Sequence, residues 1–198
     1  MQEECTGFGY TLLFRFRGED MLIQDITDAE LVLVGIGSEM QVKLQTLKDM
    51  PGFEEKLSVL EGEQDREWLI PFLIRYYLKR EFHPKITKAY EKLQGMLEGK
   101  NYFIVSLSTD DLIRGMGFKE ERITLPCGTY HLLQCAEDCA GKLFQIEENF
   151  WGQVSGWIEG DVSLEEMEEP KCPNCGAPLV MNQYGQPKYN EGGYLKSW

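Results

Sequence analysis

The chain has 198 residues, of which 42% are hydrophobic and 12% aromatic, so it is long and apolar enough to bury a core and is not disordered. Its 20 Lys and Arg against 33 Asp and Glu give a net charge of -13, which repels phosphate backbones and argues against a nucleic-acid partner. No apolar run approaches the roughly 20 residues of a membrane span, and no secretory signal is visible at the N-terminus. We therefore expect an acidic cytoplasmic protein that does not associate with membranes.

Two apolar runs are candidates for strands of a parallel sheet, and a weaker one precedes them at residues 10–16. Residues 31–34 (LVLV) form a continuous apolar run that stops at Gly35-Ile36-Gly37. A short run of this kind is typical of a parallel strand buried on both faces. Residues 102–107 (YFIVSL) form the second run. We expect these two strands to be parallel neighbours, with the turns that follow them at the same edge of the sheet.

A helical region of about 53–97 separates the two strands. Pro71 suits a first helical turn or a kink, and His83-Pro84 interrupts the pattern before apolar residues recur at three- and four-residue steps. After the second strand, Ser108, Thr109 and Asp110 would cap a short helix through Met116. Strand, helical insertion, strand and short helix together predict one half of an α/β sheet.

The composition changes after residue 135. Residues 143–170 contain eight acidic residues and no Lys or Arg, which is typical of a solvated loop or helix face. The last stretch, 172–198, is rich in Gly, Pro, Asn and Tyr, and these residues predict turns and short strands. We place a domain boundary here, with residues 1–129 as the first domain and 130–198 as a small module.

Two cysteine pairs carry the strongest chemical signal. Cys135 and Cys139 are spaced C-x3-C, and after 32 residues Cys172 and Cys175 are spaced C-x2-C. A tetrahedral zinc ion needs four thiolates, and two close pairs supply them with no open position, so the metal would be structural. The alternatives are a redox Cys-x-x-Cys or unrelated thiols. If the module folds around zinc, chelation should unfold the region beyond Tyr130 and leave the helical region intact.

Three segments resemble those of sirtuins: residues 101–118 (NYFIVSLSTDDLIRGMGF), 125–139 (LPCGTYHLLQCAEDC) and 172–181 (CPNCGAPLVM). The likeness is greatest to divergent bacterial sirtuins, some of which are ADP-ribosyltransferases. The resemblance implies an α/β fold, a partial Rossmann-like parallel sheet with a helical insertion and a small four-cysteine zinc module. It also implies NAD as cofactor, and a protein substrate that carries an acyl-lysine or accepts ADP-ribose.

The resemblance implies a cofactor site on two loops. Gly35, Gly37 and Ser38 resemble the start of the family's phosphate-binding Gly-Ala-Gly turn, although Glu39 would place a negative charge beside a diphosphate. Asp110 matches the family's Thr-Gln-Asn-x-Asp loop, and Ser108 stands where the family has Asn. These two residues would face the ribose, or alternatively cap a helix.

The family's catalytic histidine is replaced. At the position of its His-Gly, this chain has Cys127-Gly128, and a thiol of ordinary pKa is a poor general base. His131 lies four residues further on, where a structural role is the better interpretation. The match to the family stops at Trp198, before the strands that bind the adenosine half of NAD, so we expect a truncated gene product or a partner chain that completes the sheet.

Two hypotheses follow. In the first, the chain is an NAD-dependent transferase of sirtuin type, either a deacylase or an ADP-ribosyltransferase. In the second, it is a non-catalytic, zinc-stabilised binding protein. The family resemblance favours the first hypothesis. Cys127 and the missing adenosine-binding half favour the second, and any surviving activity should be ADP-ribosyl transfer, which depends less on the lost base.

Overall fold

The structure is a computed structural model that describes residues 10–11, 25–80 and 83–191. Its strands are β1 (Tyr10–Thr11), β2 (Leu31–Ile36), β3 (Asn101–Ser106), β4 (Ile123–Thr124), β5 (Gly128–Cys135), β6 (Leu143–Gln145) and β7 (Leu179–Gln183). Its α-helices are α1 (Leu44–Lys48), α2 (Phe53–Gly62), α3 (Ile70–Arg80), α4 (Pro84–Leu97) and α5 (Glu148–Glu159). Short 3-10 turns join these elements. Of the strand predicted at 10–16, residues 12–16 lie outside the described residues.

A parallel sheet of order β1-β2-β3-β4 forms one part of the fold. Strands β2 and β3 pair in parallel along their whole length, from Leu31 opposite Asn101 to Ile36 opposite Ser106. This confirms the predicted α/β class and the predicted pairing of the two apolar runs. The helices between these strands form the crossover that a parallel connection requires.

The parallel sheet buries one face more deeply than the other. Val32, Ile36 and Ile104 pack against Tyr90 and Leu97 of α4. On the opposite face Leu33 keeps 42% of its surface exposed, so the expectation that β2 is buried on both faces is wrong at this residue.

A second sheet, antiparallel and of order β6-β5-β7, follows in the chain. Its buried residues Leu133 and Met181 belong to the same hydrophobic core as Phe72 of α3 and Trp157 of α5. The helical region therefore packs against the cysteine-bearing part of the chain, a contact that spacing along the sequence did not predict. The boundary between residues 129 and 130 remains a prediction.

Proline and acidic residues occupy the helix positions that the sequence predicts. Pro71 lies in the first turn of α3 and Pro84 begins α4, where the missing N–H costs nothing. In α5 the residues Val154 and Trp157 are buried. Part of the acidic segment thus forms a helix with one apolar face, while most of its acidic residues lie outside this helix. Within the described ranges no helix has the length and apolar character that crossing a bilayer demands.

We expect Gly128→Ala to lower the free energy of unfolding by about 2–4 kcal/mol. Gly128 has φ +76°, and a Cβ there would run into the backbone carbonyl of Asn182 in β7, which cannot move without shifting the sheet. Urea unfolding measures the loss. Gly95→Ala is the matched control, because Gly95 lies in α4 with open space around it, and Ala there should stabilise by about 0.5–1 kcal/mol. Equal effects of the two substitutions would contradict this account.

Candidate functional site

The glycine turn after β2 and the loop after β3 meet at the carboxyl edge of the parallel sheet. The Leu107 N–H donates to the Ile36 carbonyl at 2.8 Å, and the Val42 N–H donates to Asp110 Oδ2 at 2.9 Å. Ligands of open α/β sheets bind at this edge. The structure therefore brings together the two loops that the sequence singles out.

Asp110 and Ser108 both point into the protein. Asp110 is buried, and its second oxygen, Oδ1, accepts a hydrogen bond from the Leu112 N–H at 3.1 Å, at the start of a 3-10 turn. Ser108 is buried beside the phenol of Tyr90, whose pKa is raised by burial. The Asp110 carboxylate therefore holds the two loops together and stabilises the start of the next turn. Ser108 has no exposed hydroxyl.

The two glycines differ in access, since Gly35 lies near the end of β2 and is open, whereas Gly37 lies in the turn after β2 and is covered. A Cβ on Gly35 would meet no atom within 4 Å, so a ligand can approach the backbone there. At Gly37 the exposed carboxylate of Glu39 lies in the space that a Cβ would fill. Ser38 is exposed and follows directly. A diphosphate fits this turn only after the Glu39 side chain has turned away, since two anions would otherwise share one space.

Cys127 lies just before β5, half-buried, with its carbonyl accepting a hydrogen bond from the Tyr184 N–H at 2.9 Å. Strand β5 reaches the loop after β3, because the Tyr130 N–H donates to the Thr109 carbonyl at 3.0 Å. Cys127, at the family's histidine position, is thus three residues before the point where β5 is hydrogen-bonded to the loop after β3. Its side chain is a thiol and not an imidazole.

A buried charged cluster at the same edge went unnoticed in the sequence. Asp111 has only 8% of its side chain exposed; its Oδ1 is 2.8 Å from Arg114 Nε and its Oδ2 is 3.6 Å from His131 Nδ1. Arg75 of α3 lies 3.3 Å from the same His131 nitrogen, and it donates to the Tyr130 carbonyl. The members of this cluster lie on three separate elements, so residue order does not predict that they meet. The adjacent acidic residues Asp110 and Asp111 were the one signal in the sequence.

The surroundings shift both titrating groups of the cluster. Burial raises the pKa of Asp111 to about 6, against the opposing effect of Arg114, Lys79 and Arg75. Burial, followed by the charge of Arg75, lowers the pKa of His131 to about 4. A guanidinium can only donate, so Nδ1 of His131 accepts from Arg75 and the neutral ring carries its hydrogen on Nε2.

The four paired cysteines come together in space. Their sulfur atoms all lie within 4.8 Å of one another, with Cys135 and Cys175 at 3.5 Å and Cys139 and Cys172 at 3.6 Å. Zinc–sulfur bonds of about 2.3 Å in a tetrahedron separate sulfurs by about 3.8 Å, so the cluster is compatible with zinc. The backbone N–H of Cys139 is the largest of the influences that lower the pKa of Cys135 to about 7.

We expect Asp111→Asn and His131→Gln to change the pH dependence of stability in opposite directions. Between pH 4 and 6 the folded pair holds one proton on Asp111, and the unfolded pair holds one on His131, so the two effects cancel in the unmodified protein. In Asp111→Asn only the unfolded histidine binds a proton, so stability falls as the pH is lowered from 6.5 to 4. In His131→Gln only the folded aspartate does, so stability falls as the pH rises from 3.8 to 6.

Urea unfolding across this pH range measures both slopes relative to the unmodified protein. Neither slope can exceed about 1.4 kcal/mol per pH unit, which corresponds to one proton. Slopes of the same sign in the two variants would contradict the exchange of a proton within the pair.

Comparison with known proteins gives one curated match, and no family model matches the chain. A protein ADP-ribosyltransferase of Staphylococcus aureus (strain Mu50 / ATCC 700699) is 22% identical over 180 residues, which cover 83% of this chain. The match covers 56% of that relative, so the chain spans little more than half its length.

Among solved structures, a Sir2 homologue in complex with NAD has a TM-score of 0.49 at 14% identity, covering 83% of this chain and 60% of that one. A Sir2 mutant with a p53 peptide and NAD has a TM-score of 0.47 at 13% identity, covering 86% of this chain and 65% of that one. The chain therefore resembles a protein ADP-ribosyltransferase over most of its own length, and its own segments resemble those of sirtuins.

Proposed function

We infer that the chain is part of a sirtuin-like, NAD-dependent enzyme that transfers ADP-ribose to protein side chains. The observation that carries this inference is the meeting of the glycine turn and the loop after β3, held by the hydrogen bond from Val42 to Asp110. The name of the curated relative, a protein ADP-ribosyltransferase, supports the same reaction. Gly35, Gly37 and Ser38 would hold the diphosphate through their backbone once Glu39 moves aside.

When bound, NAD would supply an ADP-ribosyl group joined to a good leaving group, nicotinamide. Binding of NAD should be weak, because both carboxylate oxygens of Asp110 already accept hydrogen bonds from backbone N–H groups and Ser108 is buried. Neither side chain is then available to the ribose in this conformation. The contribution of the chain's own residues is to present the backbone of the glycine turn at the carboxyl edge of the sheet.

Transfer is favoured over deacylation because deacylation needs a base that takes a proton from a ribose hydroxyl. Cys127 stands in the family's histidine position, and loss of a general base costs about 10²–10⁴-fold in rate. His131 does not replace it, since its Nδ1 accepts from Arg75 and burial keeps its pKa near 4. An acceptor that attacks the sugar directly avoids the missing step.

We expect the chain to release nicotinamide from NAD slowly and to remove no acyl group from an acyl-lysine peptide. Chromatography of nicotinamide and mass spectrometry of the peptide measure the two reactions. Cys127→His is the comparison, because an imidazole at this position should raise deacylation above that of the unmodified chain. Robust deacylation by the unmodified chain would contradict the assignment. Calorimetric NAD binding without any nicotinamide release would support a non-catalytic binding protein instead.

We also propose that Cys135, Cys139, Cys172 and Cys175 bind one structural zinc ion. The supporting observation is the closeness of the four sulfurs, which already stand near tetrahedral spacing. The Cys172 N–H donates to the Ala177 carbonyl at 2.7 Å, and the Gly176 N–H donates to the Cys172 carbonyl at 2.9 Å, so the second pair lies on a tight turn. Four thiolates leave no position for a substrate.

Purified protein should contain about one equivalent of zinc, and Cys175→Ser should lose most of it. The control is Cys127→Ser, which changes a cysteine outside the cluster and should keep the metal. The sequence-based expectation that the helical region survives chelation is replaced here. Because Leu133 and Met181 share a core with α3 and α5, chelation should destabilise the helices as well as β5–β7. Less than half an equivalent of zinc, or helices that keep their melting temperature after chelation, would contradict this proposal.

A further inference from the structure

Asp111 has an uncommon, left-handed backbone conformation and a buried carboxylate that accepts no capping hydrogen bond from the backbone. Its φ is +65°, in the left-handed region that costs most residues about 1 kcal/mol and that Asp and Asn tolerate best. It precedes the 3-10 turn Leu112–Met116, yet its side chain makes no capping hydrogen bond there. Its neighbour Asp110 performs that task, through the Leu112 N–H. The backbone of the turn therefore does not use the Asp111 carboxylate, which pairs instead with the side chain of Arg114.

The groups around Asp111 come from three elements. Arg114 on its own loop makes the ion pair at 2.8 Å and also pairs with Glu120, while His131 of β5 stands at 3.6 Å. Two cations of α3, Arg75 and Lys79, face the carboxylate from further away. Arg75 is only 7% exposed and stacks its guanidinium 5.1 Å from the centre of the Trp151 ring.

This cluster follows the candidate NAD site directly along the chain. Asp111 is the residue after Asp110, whose carboxylate holds the segment behind the glycine turn. His131 keeps 31% of its side chain exposed, and Arg75 fixes its ring so that Nε2–H faces away from the Arg75 contact. The partly exposed ring of His131 thus offers a neutral hydrogen-bond donor, Nε2–H, while the Asp111 carboxylate, with 8% of its side chain exposed, lies near Nδ1 of the same ring.

We propose that Asp111 is the proton acceptor of the transfer reaction, receiving the proton that the attacking acceptor loses. This inference rests on the proposed function. The acceptor oxygen forms a bond to C1 of the ribose, the bond from that carbon to nicotinamide breaks, and nicotinamide keeps the electron pair. The proton of the acceptor passes to a carboxylate oxygen of Asp111 and then to solvent.

The elevated pKa of Asp111, about 6, suits this task, because a base is most effective when its pKa lies near the working pH. The surrounding positive charges of Arg75, Lys79 and Arg114 keep the carboxylate ionised above that pH. His131 stays neutral over the same range and does not compete for the proton.

The test uses the full, zinc-loaded chain with water as the acceptor, so that the products are ADP-ribose and nicotinamide. Asp111→Asn should slow nicotinamide release by about 10²-fold or more, and leave the Kd for NAD within about two-fold. In the unmodified chain the rate should rise with pH through about 6, and this rise should be absent from the variant. Glu98→Gln, an exposed change at the opposite end of β3, is the control and should alter neither quantity.

Asp111→Gly separates catalysis from folding, because glycine suits a positive φ and lacks the carboxylate. The melting temperatures of both variants should stay within about 4 °C of the unmodified chain while the rate falls. Melting that drops well beyond this range in both variants would assign Asp111 a structural role and overturn the inference. Equal nicotinamide release by the unmodified chain and Asp111→Asn would overturn it while leaving the proposed function intact. A total lack of release by the unmodified chain would overturn the proposed function itself.

Discussion

The buried guanidinium of Arg75 joins the two parts of this protein. It projects from α3, donates to the Tyr130 carbonyl and to His131 on β5, and stacks on Trp151 of α5. A buried cation needs partners for its N–H groups, and both hydrogen-bond partners lie on β5, while the stacked ring belongs to α5. The position of the helical region relative to the antiparallel sheet is therefore fixed by hydrogen bonds as well as by apolar packing.

The same cation determines the chemistry at the edge of the parallel sheet. Because Arg75 can only donate, it holds His131 in one tautomer and disfavours a second positive charge on the ring. Burial of Asp111 beside these groups raises its pKa, although the cations oppose the rise. In the unfolded chain His131 has the higher pKa of the two residues, whereas in the folded chain Asp111 does.

The two adjacent aspartates illustrate how neighbours in sequence can differ in role. Asp110 accepts hydrogen bonds from two backbone N–H groups and so braces the loops after β2 and β3. Asp111 makes its contacts with side chains and adopts a left-handed backbone. The first arrangement stabilises the edge of the sheet, whereas the second concentrates charge there. A function that depends on Asp111 would account for a conformation that local structure alone does not require.

Residue order was enough to predict the pairing of β2 with β3 and the closeness of the paired cysteines, but it left the acidic segment open between a loop and a helix face. These predictions depend on local geometry, which can be read from residue order. They come from the apolar runs, from Pro71 and Pro84 at helix starts, and from the spacing of the cysteines. The tertiary structure alone decided that Ser108 faces Tyr90, that Glu39 covers Gly37 and that Arg75, Asp111 and His131 meet. Arg75 and His131 are 56 residues apart, and no periodicity links residues at that separation. Their contact arises because one hydrophobic core packs α3 against β5, and that packing depends on the shapes of many side chains at once.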